Sequence, residues 1–442
     1  MATSQSPGAD GSLERVMGVR ALTASAFNMT VGSGIFVLPA VVAGMIGAAA
    51  PIAYFICAFA MAMVVLCFAE AGSRVHRTGG AYAYATAAFG PYIGTLAGAL
   101  LYVGAGVLAS ASVMNIFAGT LGVMVPELGA PVSRAIIMAV VYGGLATLNI
   151  RGAKPGVRTM EIFTLSKMIP LVTLAVVGVF FMHPANLVIP ALPPAHDLGR
   201  ACVTLIFAFL GFESALCPSG EVKDSHRTVP RAVLYALVLV TVLYLSVQMV
   251  AMGVLGPQLA RETAAPLAAV AGIVFGGMGS KLMLLGALLS TFGYLTGDAL
   301  TNPRTLFALA ENGVLPPWLS SIHRTYRTPW MSIGTHATLA FTLAVTGSYR
   351  SLIIMANVAV LVWYGVVAAG VIALRARDVR QDGEPFLVPF GPVIPVLAIL
   401  VLGYLLLQAT PIEWVGTLIT LGLATALYVL SRYMRRRGTP AG

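Results

Sequence analysis

Val31-Gly32-Ser33-Gly34-Ile35-Phe36 writes a helix break into the first long apolar stretch of this chain. The break stands about a dozen residues beyond Arg20, roughly 18 Å along a helix at the usual rise. In hydrocarbon, unwound backbone persists only where it lines a cavity or is buried in protein, because no water satisfies its amides and carbonyls. Exposed half-helix N-termini at such breaks hold carboxylate-bearing substrates near the bilayer midplane in secondary transporters. The stretch therefore points to transport.

Composition agrees with a membrane setting. Charged residues make up 10% of the chain and hydrophobic ones 58%, the balance of an integral membrane protein. Twelve apolar stretches are long enough to cross a bilayer, near 20-46, 50-73, 89-123, 133-149, 159-182, 199-221, 230-254, 273-308, 330-347, 351-374, 391-409 and 412-433. The third and eighth exceed what a crossing needs, which suggests tilt or extension past the bilayer. Of the 26 Lys and Arg, five (Arg134, Arg200, Arg261, Lys281, Arg350) fall in odd-to-even loops and Lys167 lies within a span. The remaining 20 collect at the termini and in the even-to-odd loops. Positive charge gathers in the cytoplasm, so both termini are expected there, in a multi-pass protein of the cell inner (cytoplasmic) membrane. The net charge of +10 is then a topology signal and not a sign of nucleic-acid binding.

Residues 1-12 are small and polar and read as a disordered cytoplasmic N-terminus, without the basic region and short apolar core of a secretory signal. The transport core is expected over 13-375, two further spans over 376-433, and a cytoplasmic tail over 434-442, where Arg435-Arg436-Arg437 suits an anionic lipid surface. Cys57, Cys67, Cys202 and Cys217 fall within spans at no metal-ligand spacing and read as apolar fillers. No metal or cofactor is expected.

The sixth stretch carries a second interruption, Phe207-Ala208-Phe209-Leu210-Gly211-Phe212-Glu213-Ser214. A Gly followed by a carboxylate inside an apolar run is costly unless the helix opens there. Stretches one and six correspond if 1-5 and 6-10 form an inverted repeat, and paired interruptions so placed point to a binding site. The expected fold is all-α, about 12 transmembrane helices in a 5+5 inverted repeat with broken helices 1 and 6, plus two extra C-terminal helices.

These segments resemble the amino acid–polyamine–organocation permeases, which have the leucine-transporter-type fold. Asn28 followed by Val31 to Phe36 looks like the family's first-span motif. Thr78-Gly79-Gly80-Ala81-Tyr82-Ala83-Tyr84 with Phe89-Gly90-Pro91 is similar to its GG-x-Y-x-Y…FG loop, and Leu148-Asn149-Ile150-Arg151-Gly152 to its fourth-span exit. Phe209 to Glu213, Glu221-Val222-Lys223 and Pro230-Arg231 follow the sixth span and its loop, and Pro303-Arg304 to Pro316 the end of the eighth. One departure is Glu311-Asn312-Gly313, where the family often has the acidic residue directly before the Gly.

The resemblance implies a site. The substrate carboxylate would sit on the N–H groups of Gly32, Ser33 and Gly34, with the Ser33 hydroxyl assisting, and its ammonium on carbonyls of Phe207, Ala208, Phe209 and Leu210. Glycines allow close backbone approach, and the half-helix N-terminus adds favourable partial charge. Phe207 aligns with the aromatic that closes over the substrate. Glu213 is either a structural carboxylate or a gating or proton residue. Lys167 matches a lysine that, in proton-coupled members, stands where sodium sits in sodium-coupled relatives. It would touch the first-span backbone around Thr30 and Val31 and the eighth span. A cation at that depth costs ~2.5–3.5 kcal/mol on insertion scales, and burial disfavours a charged amine, so proton loss can accompany a conformational change.

Helical spacing puts Tyr294, Asp298, Thr301 and Asn302 on one face of the eighth stretch. Asp298 receives a cationic substrate side chain, balances Lys167, or hydrogen-bonds within the bundle. Ser110 and Asn357 are further pocket candidates. The leading reading is a secondary active transporter of amino acids or related amines, proton-coupled, working by alternating access. An exchanger or antiporter, or an exporter without proton coupling, is the alternative. An intramembrane enzyme is the rival of another class: Gly32-Ser33-Gly34 invites it, but Val31 breaks the G-x-S-G pattern and His336 stands without an evident helper. The expected partners are a small amino acid or amine, the proton and membrane lipid.

Overall fold

The computed structural model describes residues 18–75, 81–152, 157–212, 225–262, 264–311, 313–380 and 384–437. Glu213, Cys217, Glu221-Val222-Lys223, Asn312 and the Thr78-Gly79-Gly80 part of the loop motif lie outside them, as does the expected disordered segment 1-12. Every element among the described residues is helical, as lipid requires of a chain that must satisfy its own backbone.

Seven helices among the described residues are long and apolar enough to cross a membrane, and Lys167–Phe181 and Val393–Leu407 are shorter apolar ones. The first stretch divides into α1 (Val19–Thr30) and α2 (Leu38–Ile46), followed by α3 (Ala50–Arg74). After α4 (Ala81–Phe89), the third stretch runs as α5 (Pro91–Leu100), a π-helical segment Leu101–Leu108, and α6 (Ala109–Met124). Helices α7 (Pro131–Ile150) and α8 (Val157–Val177) follow. The sixth stretch opens as α9 (Ala195–Leu205), ahead of α10 (Ser225–Leu255). The eighth, α11 (Pro266–Glu311), is two helices joined at Gly276, whose φ of 71° turns the chain. A separate short helix thus precedes the turn, and the helix that follows it to Glu311 is still longer than a crossing needs. Helices α12 (Trp330–Thr346), α13 (Tyr349–Ala376), α14 (Val393–Leu407) and α15 (Pro411–Arg437) complete the chain.

Packing sorts these helices into inner and outer positions. Helices α1, α3 and α10 pack together with α9 against α2 and α3, while α11 packs on α6 and α8, and α12 on α7. The third stretch and α13 are the most enclosed, whereas α7 and α15 show apolar faces such as Val132, Ile136 and Val140 to the outside. Gly104 lets the π segment meet α13: a Cβ there would stand 2.9 Å from the Ala359 Cβ. Cys57, Cys67 and Cys202 are buried free thiols.

Two polar assemblies hold the ends. Glu70 of α3, fully buried, accepts from Arg74 Nε (3.0 Å), Arg375 Nε (2.7 Å) and the Val388 N–H (2.9 Å), and also from Arg375 Nη2. Four charge-assisted donors satisfy one carboxylate and tie α3 to the end of α13 and the segment beyond it. At the opposite end, the start of α9 is strapped to the α14–α15 hairpin. Arg200 donates to Glu413 Oε1 and to the Gln408 carbonyl, both at 3.1 Å, and Tyr404 donates to the Ala195 carbonyl at 3.2 Å.

Candidate functional site

The first break begins where α1 stops at Thr30. Val31 takes φ −72° and ψ 81°, an inverse γ-turn that sends the Gly32 N–H back to the Thr30 carbonyl at 2.7 Å. The chain resumes as a short turn, Gly34–Phe36, whose Phe36 and Val37 N–H groups donate to Ser33 and Gly34. The N–H groups of Ser33, Gly34 and Ile35 have no backbone acceptor among the described residues. The Ser33 hydroxyl is buried without a partner. The free donor set therefore differs by one from expectation: Gly32 is closed within its turn and Ile35 stands in its place. These groups form the positive end of a half-helix, a setting that suits a carboxylate.

The carbonyls released by the break are taken one by one. Lys167 Nζ donates to Asn28 O (2.8 Å) and Val31 O (2.6 Å). Tyr244 donates its hydroxyl to Thr30 O (3.0 Å), and Ser290 Oγ reaches Gly32 O at 3.5 Å. Lys167 thus meets the first break as expected, but at Asn28 and Val31, because Thr30 is already occupied. No hydrogen bond joins it to α11 among the described residues. Lys167 is buried, and among the described residues its ammonium is held by main-chain carbonyls alone.

The second break follows α9. A short turn Ile206–Phe209 leads to Leu210 in extended conformation and Gly211 at φ 112°. A Cβ on Gly211 would stand 2.4 Å from Met29 O, so here the two broken segments touch backbone to backbone. The Tyr244 hydroxyl also reaches Ala208 O at 2.9 Å, and its ring meets the Phe209 ring edge-on at 5.5 Å. One phenol therefore bridges both breaks. Phe207 O accepts from the Leu210 N–H at 3.3 Å, and the Phe207 ring lies against Gly34, 3.3 Å from where a Cβ would be. Asn357 Nδ2 donates to Val203 O (2.7 Å) and Thr204 O (3.3 Å) at the end of α9, while its Oδ1 is buried without a partner.

Thus Gly32, Ser33, Gly34, Lys167, Asn357 and the segment Phe207, Ala208, Phe209, Leu210 gather around the two breaks. Ser110 and Asp298 bond elsewhere. Ser110 pairs with the Tyr142 hydroxyl at 3.2 Å. Asp298 Oδ2 accepts from His336 Nε2 at 2.9 Å, and Oδ1 accepts from Asn302. His336, which has no evident helper in the sequence, therefore has a carboxylate partner, and Asp298 hydrogen-bonds within the bundle. Tyr244 and Ser290 were missed from the sequence. A tyrosine in a buried apolar helix needs a partner for its hydroxyl, and that requirement was the available signal for Tyr244.

The family model described as Amino acid permease matches residues 17–429. The chain is 28% identical over 402 residues to the serine/threonine exchanger SteT of Bacillus subtilis, covering 88% of this chain and 90% of that protein. It is 26% identical over 416 residues to the branched-chain amino acid permease BcaP of Lactococcus lactis, covering 88% of each. It is 25% identical over 436 residues to the methylthioribose transporter of Bacillus subtilis, covering 95% and 94%. With both breaks in place and the match spanning nearly its whole length, the chain belongs to the amino acid permease family.

Proposed function

We propose that this protein is a secondary active transporter of amino acids, working by alternating access and coupled to protons through Lys167. The observation that carries the reading is the pair of facing breaks, bridged by Tyr244 and braced by the Lys167 ammonium. A zwitterion would bridge them, its carboxylate on the Ser33, Gly34 and Ile35 N–H groups with the Ser33 hydroxyl and its ammonium on carbonyls of the Phe207 to Leu210 segment. Phe207, against Gly34, is placed to close over it. Ser110 and Asp298 are left out of this pocket, since each is bonded away from the breaks. An ammonium fixed on main-chain carbonyls occupies the kind of place a sodium ion would take, so sodium is not required.

The relatives' names include small hydroxylated amino acids, branched-chain amino acids and methylthioribose. Asp298 is engaged by His336, which favours neutral ligands over cationic ones in this chain. The twelve-span arrangement rests on the seven long helices, the two shorter apolar ones, the two broken stretches and α12. The neighbours α3 with α10, α6 with α11 and α7 with α12 are those an inverted 5+5 repeat pairs. Cytoplasmic termini follow from the charge distribution.

The test is a thermal-stability screen of purified protein against the twenty amino acids, followed by isotope uptake into proteoliposomes in sodium-free buffer. A ligand bound by the folded state raises apparent stability as its concentration passes its dissociation constant. Stabilisation by serine, threonine or leucine with gradient-driven uptake supports the reading. Consumption of the amino acid in detergent, with no uptake, would replace it with an enzyme.

A further inference from the structure

One buried cluster takes no part in the breaks. Asp298 and His336, with side chains 2% exposed each, meet at 2.9 Å between α11 and α12. On its other nitrogen, His336 Nδ1 faces the Tyr102 hydroxyl at 3.3 Å. Tyr102 belongs to the π segment Leu101–Leu108, a form that is rare and frequently found at functional sites. Asn302 donates to Asp298 and packs on that segment, where a Cβ on Gly106 would stand 3.1 Å from its Cγ. Tyr142 of α7 is within electrostatic reach of Asp298. Apart from His336, no basic side chain among the described residues is within ion-pair distance of Asp298.

The arrangement fixes the ring's hydrogen bonds. Nε2–H donates to the carboxylate, which leaves Nδ1 accepting from Tyr102 when the imidazole is neutral. A proton arriving from water forms an N–H bond at Nδ1 as its bond to the carrier water breaks. The Tyr102 hydroxyl then turns from donor to acceptor, and the pair's net charge goes from −1 to 0. Ser290, Tyr294, Asp298 and Asn302 recur every four residues and so share one stripe of α11, roughly 18 Å long. At its upper end, Ser290 reaches Gly32 O in the first break, and Tyr294 donates to Ala105 O in the π segment. His336 lies six residues into α12, roughly 9 Å from its start, on the cytoplasmic side in the proposed topology.

We propose that the Asp298–His336 pair is a second proton-binding site, separate from Lys167 and reached from the cytoplasmic side, in which Nδ1 takes the proton and Tyr102 passes the change to the π segment. Its role in the transport cycle rests on the proposed function; proton binding itself does not. Two measurements keep the two apart. In full-length protein with 15N-labelled histidine, the ring resonance lost in His336→Gln reports the site directly, and it is expected to change from the neutral to the charged pattern as the site takes its proton. Tyr102→Phe should move that resonance alone, which assigns it should His336→Gln fail to fold.

In proteoliposomes, uptake of tritiated L-serine and L-leucine is followed while the pH on the cytoplasmic face is varied. The measurement is made in Lys167→Ala, whose residual exchange does not use the Lys167 proton: its rates are expected to change by ~5-fold or more with cytoplasmic pH, and by less than ~2-fold once His336→Gln or Tyr102→Phe is added. A ring that keeps one charge state throughout, or a pH profile that His336→Gln leaves unchanged in the Lys167→Ala background, would overturn the site. A titrating ring in a protein that moves neither amino acid would keep the site and count against the proposed function alone.

Discussion

Gly32 and Gly34 stand two residues apart and make opposite demands. A Cβ on Gly32 meets nothing nearer than Thr30 O at 3.9 Å, whereas one on Gly34 meets Leu38, Phe207 and Ala208 at 3.1, 3.3 and 3.4 Å. Gly32→Val is therefore expected to fold with an apparent Tm within about 3 °C of wild type and to lose stabilisation by its amino acid. Gly34→Val should lose both. Ligand shifts in Gly32→Val equal to wild type would remove the first break from the site. Tyr244→Phe removes the one hydroxyl proton that Thr30 O and Ala208 O share, leaving Thr30 O on the Gly32 N–H alone, and should lower stability by about 1–3 kcal/mol, measured by denaturation in detergent. A variant as stable as wild type would mean that the bridge contributes nothing net. Lys167 was legible in the sequence because a cation at that depth contradicts its surroundings. Its partner Asn28 was not, because the γ-turn at Val31 rotates the carbonyls and gives Thr30 to another donor. The Asp298–His336 pair was not legible either: helical spacing reports which residues share a face of one helix, and says nothing of which neighbour that face meets.

At the level of elements, the breaks differ in what sustains them. The first is held by side chains arriving from α8, α10 and α11, and the second by Tyr244 of α10 and by its backbone contact with the first at Gly211. A side chain at Gly211 combines an unfavourable φ with a 2.4 Å approach to backbone, so Gly211→Ala should cost ~3 kcal/mol or more. Little folded protein is expected from size-exclusion chromatography of this variant, and a monodisperse, transporting Gly211→Ala would contradict the backbone contact. Both breaks could be read from glycines set in apolar runs, since hydrocarbon tolerates few other reasons for them. The turn at Gly276 could not, because a Gly-Gly pair inside such a run reads equally well as a place where helices pack closely. The π segment left no trace in composition: Leu101 to Leu108 is ordinary apolar sequence, and its form depends on α11 and α13 packed against it.

For the whole molecule, energy coupling is the decisive property. Transport should proceed in sodium-free buffer and respond to an imposed pH gradient, while Lys167→Ala should lose accumulation and keep some exchange of bound substrate. Lys167→Arg should fail as well, since guanidinium does not give up its proton in proteins. A sodium requirement in wild type, or concentrative uptake by Lys167→Ala, would refute this coupling. Membrane class was plain from composition, and the proposed orientation came from where positive charge lies, because insertion itself responds to both. The strap between α9 and the last hairpin was invisible, since it joins residues some two hundred positions apart. Its consequence is mechanical. Among the described residues α14 and α15 bond to neither break, yet α9 cannot tilt at its outer end without carrying Gln408 and Glu413 along or tearing free of them. The closing hairpin is thus ballast on one side of a rocking beam. Arg200→Ala should lighten that load and quicken outward opening, read by labelling of a cysteine placed near Ala195, with every contact to the cargo left intact.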